Sequence, residues 1–251
     1  MSVSIPRPPR PKVIYPDSDG QPLAENTLQF EWIVTIKEGL DALFADRANV
    51  FVAGDLLWYP VEGDPKIRSA PDAMVAFGRP KGYRSSYMQW LEDNTPPQVV
   101  FEVLSPGNRP NEMLEKFRFY ERYGVEEYYL YDPDNVVLSG WLRRGETLEA
   151  IPETKGWTSP RLQVRFNLTD EDLEIMGFDG RRFLTYLELY RLRDQIEKEM
   201  GQVTHELDQA AHQLDQVAQE RDQVAQERDQ LAQTNLRLAA QLRALGIEPE
   251  V

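Results

Sequence analysis

The chain of 251 residues is long enough for one sizeable hydrophobic core, and it combines a formal net charge of −14 with the absence of cysteine. Without cysteine, disulfides, thiolate nucleophiles and Cys-ligated metal sites are excluded. The acidic balance has the wrong sign for a broad basic surface that holds nucleic acid, so a nucleic-acid function has to depend on a local site with a metal cation.

Residues 1–24 are rich in proline and show no helical or strand period. This composition predicts an extended, solvated N-terminal arm in preference to an SH3-type ligand. No segment has the apolar length of a signal peptide or of a membrane span. Together with the absence of cysteine, these features favour a cytoplasmic protein that does not associate with membranes.

A globular domain is predicted over residues 25–180. Apolar residues at helical spacing, among them Trp32, Ile36 and Leu40, predict a first core helix from about residue 25. Later elements are expected as strands at 50–59, 70–77 and 98–104, a helix at 109–123 that ends at Gly124, strands at 127–131 and 136–143, and weaker strand signals to about 168. This order predicts an α/β fold with a mixed β-sheet flanked by helices.

A heptad repeat over residues 188–246 predicts a long coiled-coil α-helix. With Ile196 at a d position, every seventh residue to Leu245 is apolar, and the sequence Asp-Gln-Val-Ala-Gln-Glu-Arg occurs twice in tandem at 215–221 and 222–228. Polar a residues, including Asn235, restrict register and favour dimers. We therefore expect a parallel homodimer through residues 196–245, and the alternatives are a helix that folds back on its own domain or pairs with another protein.

The remaining side chains narrow the chemistry that the domain can perform. The two histidines, His205 and His212, both occupy outward f positions of the heptad, so they are expected to be solvated. Catalysis then has to use carboxylates, lysine, hydroxyls or a carboxylate-bound ion such as Mg²⁺ or Mn²⁺. Asp72 follows Pro71 at one predicted strand, and Glu102 lies inside an apolar strand where a cation or donor would have to offset its desolvation. Taken alone, Glu102 could equally face solvent or a structural partner.

Three residues of the helix that follows the Glu102 strand share one face. Glu112, Lys116 and Tyr120 lie four residues apart. In isolation, Glu112 and Lys116 are typical of a weak surface ion pair.

Several of these segments, in this order, resemble the bacterial Uma-type restriction endonuclease family of the PD-(D/E)XK nuclease superfamily. The resemblance covers roughly residues 25–165 and rests on Pro71-Asp72, the run 101–106 around Glu102, Glu112 with Lys116, Tyr120, and the run 124–133. The lysine that usually follows the acid by two residues is absent, because Leu104 stands there. Lys116 on the next helix would take its place.

The resemblance implies a restriction-endonuclease-like fold and metal-dependent hydrolysis of DNA. Asp72 and Glu102 would bind Mg²⁺ or Mn²⁺ together with the Val103 carbonyl, and Lys116 would orient or deprotonate the attacking water or neutralise developing charge. Glu31 on the first helix and Asp55 after Gly54 could add carboxylates, although a surface acid and a turn residue are the simpler interpretations.

Other residues and other function classes remain open. Tyr120 is expected to pack with its hydroxyl near the site. Arg79, Lys81 and Arg84 are candidates for phosphate contact, with a solvated loop as the simpler interpretation. A non-catalytic, nuclease-like binding module, dimerised or docked through its coiled coil, is the main alternative. A carboxylate-pair glycosidase would not explain the lysine or the motif order.

Overall fold

The computed structural model describes residues 13–18, 20 and 22–246. The chain divides into two compact units, Met1–Leu187 and Glu188–Val251. In the described residues, three α-helices and ten β-strands follow in chain order: α1 (Thr27–Leu43), β1 (Val50–Ala53), β2 (Trp58–Tyr59), β3 (Ala73–Phe77), β4 (Tyr87–Met88), β5 (Val99–Val103), α2 (Pro110–Arg122), β6 (Glu127–Asp132), β7 (Val137–Arg144), β8 (Thr147–Ala150), β9 (Arg165–Leu168), β10 (Leu173–Met176) and α3 (Tyr186–Ala244). A 3-10 helix, Gln89–Leu91, lies between β4 and β5.

A six-stranded mixed sheet in the order β1-β3-β5-β6-β7-β8 organises the first unit. Every neighbouring pair is antiparallel except β5 and β6, which are parallel and joined by α2. A parallel pair needs such a crossover, and the helix supplies it. The expectation of an α/β fold with a mixed sheet and flanking helices is confirmed.

Both faces of the sheet are buried. Alternate residues such as Val75, Phe101 and Tyr129 pack with α1 on one face, while Met74, Val100 and Tyr128 pack with α2 on the other. Because side chains alternate along a strand, Glu102 points with Val100 towards the α2 side. Only 2% of Glu102 is exposed, so the alternative in which it faces solvent is wrong.

Turn chemistry positions α2 directly after β5. The side chain of Asn108 accepts a hydrogen bond from the Ser105 N–H at 2.7 Å, and Pro110 occupies the first helical position. The helix ends before Gly124, whose φ of 94° confirms the predicted stop. This short connection places the first turns of α2 next to the carboxyl end of β5.

The strand prediction for residues 50–59 is wrong in its middle. Asp55 has a φ of 49°, which breaks the extended chain and separates β1 from β2. Its N–H donates to the Pro71 carbonyl at 3.0 Å, so the break brings residue 55 beside the start of β3.

Part of the N-terminal arm packs on the first unit. Tyr15 lies against Tyr59 and Trp90 with ring centroids 5.2 and 5.1 Å apart, and the Tyr59 hydroxyl donates to the Pro16 carbonyl at 2.7 Å. The expectation of a solvated tail is therefore wrong for these residues, because their aromatic and carbonyl groups have partners. The prolines at positions 6 to 11 lie outside the described residues.

The second unit is formed by α3, a single helix of 59 residues with none of them buried. At about 1.5 Å per residue its length is roughly 90 Å. The expected long C-terminal helix is confirmed, while its pairing stays a prediction. Within the part of the chain that the structure describes, no helix has both the length and the apolarity that crossing a bilayer requires.

Candidate active site

Asp72 and Glu102 are brought together by the register of two strands. The antiparallel pairing of β3 with β5 sets Ala73 opposite Phe101, so Asp72, one residue before β3, lies opposite Glu102. The Asp72 Oδ2 atom accepts a hydrogen bond from the Val103 N–H at 2.7 Å. Two acids 30 residues apart in sequence thus share one end of the sheet.

The carboxylate of Glu102 is held by two donors from α2. Its Oε2 atom accepts from Lys116 Nζ at 2.7 Å, and its Oε1 atom accepts from the Tyr120 hydroxyl. Ser69 Oγ lies 3.0 Å from the same tyrosine oxygen. Since Lys116 and Tyr120 are four residues apart on one helical face, a single helix supplies both donors.

Glu112, the third residue of that face, is exposed at the rim of the site. Lys116 makes its ion pair with Glu102, and no Glu112–Lys116 pair occurs among the described residues. The surface ion pair that spacing alone suggests is therefore wrong, because a buried acid on the neighbouring strand competes for the lysine.

Electrostatics keep Lys116 and Tyr120 protonated. Burial lowers the pKa of the Lys116 ammonium, but the charges of Glu102 and Asp72 outweigh it and hold that pKa above its ordinary value. Burial and the Glu102 charge raise the pKa of the Tyr120 hydroxyl well above its ordinary value. Both groups therefore remain donors at neutral pH.

In this cluster the ionised form of Asp72 is disfavoured. Burial and the neighbouring Glu102 charge raise the pKa of the Asp72 carboxyl well above its ordinary value, although Lys116 and the Val103 N–H act in the opposite direction. The two carboxyl groups lie beside each other, and the charge of one ammonium, that of Lys116, acts on both. With both carboxyls ionised the cluster would carry an excess negative charge, which a bound cation would offset.

A cavity of about 800 Å³ opens onto this cluster. Asp72 and Lys116 line it, while Glu102 lies behind them. Asp55 and Glu112 also line the cavity. With Glu102 and the Tyr120 that contacts it, the structure brings six of the predicted side chains into one region. Glu31 is exposed on α1 and is not a lining residue.

Gln29 is a site residue that the sequence analysis missed. Its Nε2 atom donates to the Val103 carbonyl at 2.9 Å, and its Oε1 atom accepts from the Glu25 N–H at 2.8 Å. It lies on the inward face of α1, three residues before Trp32. Its place on the apolar face of α1 is visible along the sequence, but its contact with Val103, 74 residues away, is not.

The three basic residues that the sequence suggests for phosphate contact, Arg79, Lys81 and Arg84, pair with acidic side chains outside the site. Arg79 and Arg84 both pair with Glu92, at 3.0 and 2.6 Å, and their side chains are only 14% and 12% exposed. Lys81 lies 3.7 Å from Asp41. The solvated-loop interpretation is wrong for the two arginines, because their ion pairs with Glu92 are largely shielded from solvent and hold the loop together.

The donor atoms fit a hard divalent cation. Two carboxylates and the Val103 carbonyl present oxygen only, and Mg²⁺ is commonly held by one or two carboxylates with water completing the shell. Among the described residues there is no cluster of three or more His, Asp or Glu side chains suited to a metal. A site formed here would therefore use Asp72, Glu102 and a backbone oxygen.

Comparisons with known proteins place the chain in a family. A search of curated proteins returns no match. A crystal structure of a putative nuclease of the DUF820 group from Anabaena variabilis is similar over 58% of this chain and 80% of that one, with 13% identity and a TM-score of 0.45, a likeness that carries no argument about function. The family described as Uma2, putative restriction endonuclease, matches residues 5–171, about two thirds of the chain. The chain therefore belongs to the Uma2 family.

Proposed function

We propose that this chain is a metal-dependent endonuclease that hydrolyses phosphodiester bonds of DNA. The observation that carries the proposal is the 2.7 Å contact from Lys116 Nζ to Glu102, beside Asp72, at the wall of a large cavity. This contact supports the idea that a lysine from α2 replaces the one missing at Leu104. Membership of the Uma2 family supports nuclease chemistry.

Asp72, Glu102 and the Val103 carbonyl would hold Mg²⁺ or Mn²⁺, which would lower the pKa of a bound water and offset charge in the transition state. Lys116 has a raised pKa and keeps its proton, so its role is to orient the water and stabilise developing negative charge rather than to act as a base. Tyr120 fixes Glu102, and Gln29 fixes the Val103 carbonyl.

Two further cations line the cavity and suit phosphate groups. Arg68 and Arg109 have no acid within ion-pair distance among the described residues. Arginine binds phosphate with two parallel hydrogen bonds, so these side chains are the proposed contacts to the DNA backbone. We also propose that the chain acts as a homodimer through residues 196–245, which would supply one site for each strand of a duplex.

The direct test is cleavage of supercoiled plasmid, single-stranded DNA and RNA with Mg²⁺ or Mn²⁺. We expect plasmid cleavage that EDTA abolishes and that Asp72→Asn, Glu102→Gln and Lys116→Met each reduce by about 100-fold or more. Glu149→Gln, an exposed residue of β8, is the matched control.

The competing function is a non-catalytic binding module. The internal pairing of both Glu102 oxygens favours it, since a structural role would need no more than these contacts. Absence of cleavage of every substrate, with no heat of Mg²⁺ or Mn²⁺ binding in calorimetry, would support the module and refute the enzyme.

A further inference from the structure

The α3 helix presents an apolar stripe without a partner in the single chain. Ten large apolar residues at a and d positions are 46–76% exposed: Ile196, Met200, Val203, Leu207, Leu214, Val217, Val224, Leu231, Leu238 and Leu245. They offer on the order of 1,000 Å² of surface, above the roughly 800 Å² per partner of a standard stable interface. Burial of this apolar stripe against a partner helix would be favourable.

Charged residues beside the stripe indicate which occupant fits. Arg221 and Arg228 occupy a positions, and each follows a glutamate at g, Glu220 and Glu227. In the single chain each arginine reaches only the next residue, as Arg221 does at 2.8 Å from Asp222, and both are about three-quarters exposed. The central e positions are alanines, at 211, 218, 225, 232 and 239.

The alanines leave the g glutamates without the usual e-position cation. In a parallel, in-register pair, a g residue of one helix lies beside the a residue of the other, so Glu220 would meet the Arg221 of a second copy. Glu227 would meet Arg228 in the same way. The guanidinium groups can extend outward to these acids while their stems cover the apolar stripe.

An antiparallel pair would lack these contacts. In that arrangement a positions face d positions, so Arg221, Arg228 and Asn235 would each face an apolar residue. The g positions would face one another, and they contain glutamate, glutamine and threonine but no lysine or arginine. In the parallel pair, Asn235 instead faces its own copy, an arrangement typical of dimers.

We propose that a second copy of this chain occupies the stripe in parallel and in register, and that two reciprocal Glu–Arg pairs, 220 with 221 and 227 with 228, select that arrangement. The inference rests on the proposed self-association and not on the proposed cleavage chemistry. An experiment can therefore refute the parallel dimer without refuting the nuclease activity, and the reverse also holds.

Charge exchange tests the selecting pairs in the full chain. R221E/R228E places acids against acids and E220R/E227R places cations against cations, so each variant should dimerise about tenfold more weakly than the wild type. An equimolar mixture should recover wild-type affinity as a heterodimer, because every cross-pair is then complementary. Analytical ultracentrifugation measures both, and Q219E/Q226E and Q219R/Q226R add charge at outward f positions as controls.

Cysteine crosslinking tests the orientation, because the chain has no cysteine of its own. L207C, at an a position, and L238C, at a d position, should each alone form a disulfide-linked dimer rapidly, and a mixture of the two should give no faster crosslink. Preferential L207C–L238C crosslinking would overturn the parallel arrangement. Two results would overturn the proposal itself. One is a wild type that is monomeric in solution, and the other is a mixture of the charge variants that dimerises no more tightly than either variant alone.

Discussion

At the scale of single residues, the site depends on one lysine that pairs with Glu102 and whose charge also acts on Asp72. Removing Lys116 would leave Glu102, 2% exposed, next to Asp72 with no cation. We predict that Lys116→Met lowers the free energy of unfolding by about 2 kcal/mol, below the cost for a fully buried pair, because the Lys116 side chain keeps 24% exposure. Urea denaturation in EDTA measures the loss.

A double variant of Glu102 and Lys116 distinguishes the contribution of the pair to stability from its contribution to catalysis. In Glu102→Gln/Lys116→Met the buried charge that lacks a partner is gone, so we predict that the double variant is more stable than Lys116→Met while plasmid cleavage remains absent. Strictly additive stability losses would show that the two side chains do not interact. Recovery of cleavage would show that neither is needed for the chemistry.

The residues of the site were predictable to different degrees. Glu102, Lys116 and Tyr120 stand out along the sequence as an acid inside an apolar strand and two residues of a polar face at spacing four. Asp72, and the roles of all four residues, were predicted from the resemblance to the Uma-type family. Gln29 and Ser69 could not be predicted, since their roles come from contacts with residues 74 and 51 positions away. Such contacts depend on tertiary packing, which spacing does not encode.

At the scale of elements, the C-terminal end of α2 is fastened by an arginine from β7. Arg143 donates to the carbonyls of Val125 at 2.6 Å and of Tyr120 and Glu121 near the helix end. The Tyr120 carbonyl also accepts from the Val125 N–H at 3.1 Å, so Arg143 matters most for the carbonyls of Glu121 and Val125. We predict that Arg143→Ala costs about 1–3 kcal/mol of unfolding free energy, since these two acceptors lose their donor at once.

That helix also carries Lys116 and Tyr120, so the Arg143 variant should lower cleavage as well. Arg144→Ala, the exposed neighbour on the same strand, is the matched control and should change neither quantity. Equal unfolding midpoints for the two variants in urea would contradict a role for Arg143 at the helix end.

A buried carboxyl on β6 should make stability depend on pH. Glu127 is fully buried and accepts hydrogen bonds from the Ser159 hydroxyl, the Tyr129 hydroxyl at 2.9 Å and the Arg161 N–H at 2.7 Å. Burial outweighs these donors and raises the pKa of Glu127 above its ordinary value of 4.5. The folded state thus binds this proton more tightly than the unfolded chain does.

The sign of the effect follows from linkage. The contribution of Glu127 is fully present below about pH 4.5 and is lost as the pH rises through the raised pKa of the folded state. We predict that the stability advantage of the wild type over Glu127→Gln shrinks as the pH rises from 4.5 towards neutrality. An advantage that grows with pH, in urea titrations of both proteins, would contradict the raised pKa.

Element type was predictable where elements are long and regular. The apolar periods of α1 and α2 and the runs of β3, β5, β6 and β7 identify them. β4 was not found and β2 was not separated from β1, because two-residue strands carry no period, and their pairing joins residues 29 positions apart. The packing of Tyr15 escaped detection for a related reason, since proline-rich composition describes only local preference.

At the scale of the whole molecule, charge limits how DNA can bind. The net charge is −14, and the cavity is lined by Glu25, Asp55, Asp72, Glu112 and Glu115 against three cations. Such a surface repels a polyanion unless divalent cations reverse the local sign. The proposed metal therefore has two tasks, one in the chemistry and one in admitting the substrate.

Binding should accordingly depend on divalent ions and involve few phosphates. We predict that duplex DNA binds in Ca²⁺, an oxygen-preferring ion, and not in EDTA, as measured by fluorescence anisotropy with cleavage checked on gels. If Arg68 and Arg109 each contact one phosphate, Arg68→Ala and Arg109→Ala should each reduce the slope of log affinity against log salt by about 1. Arg144→Ala should leave it unchanged. Strong binding in EDTA with unaltered slopes would place the DNA on another surface and exclude the cavity as its site.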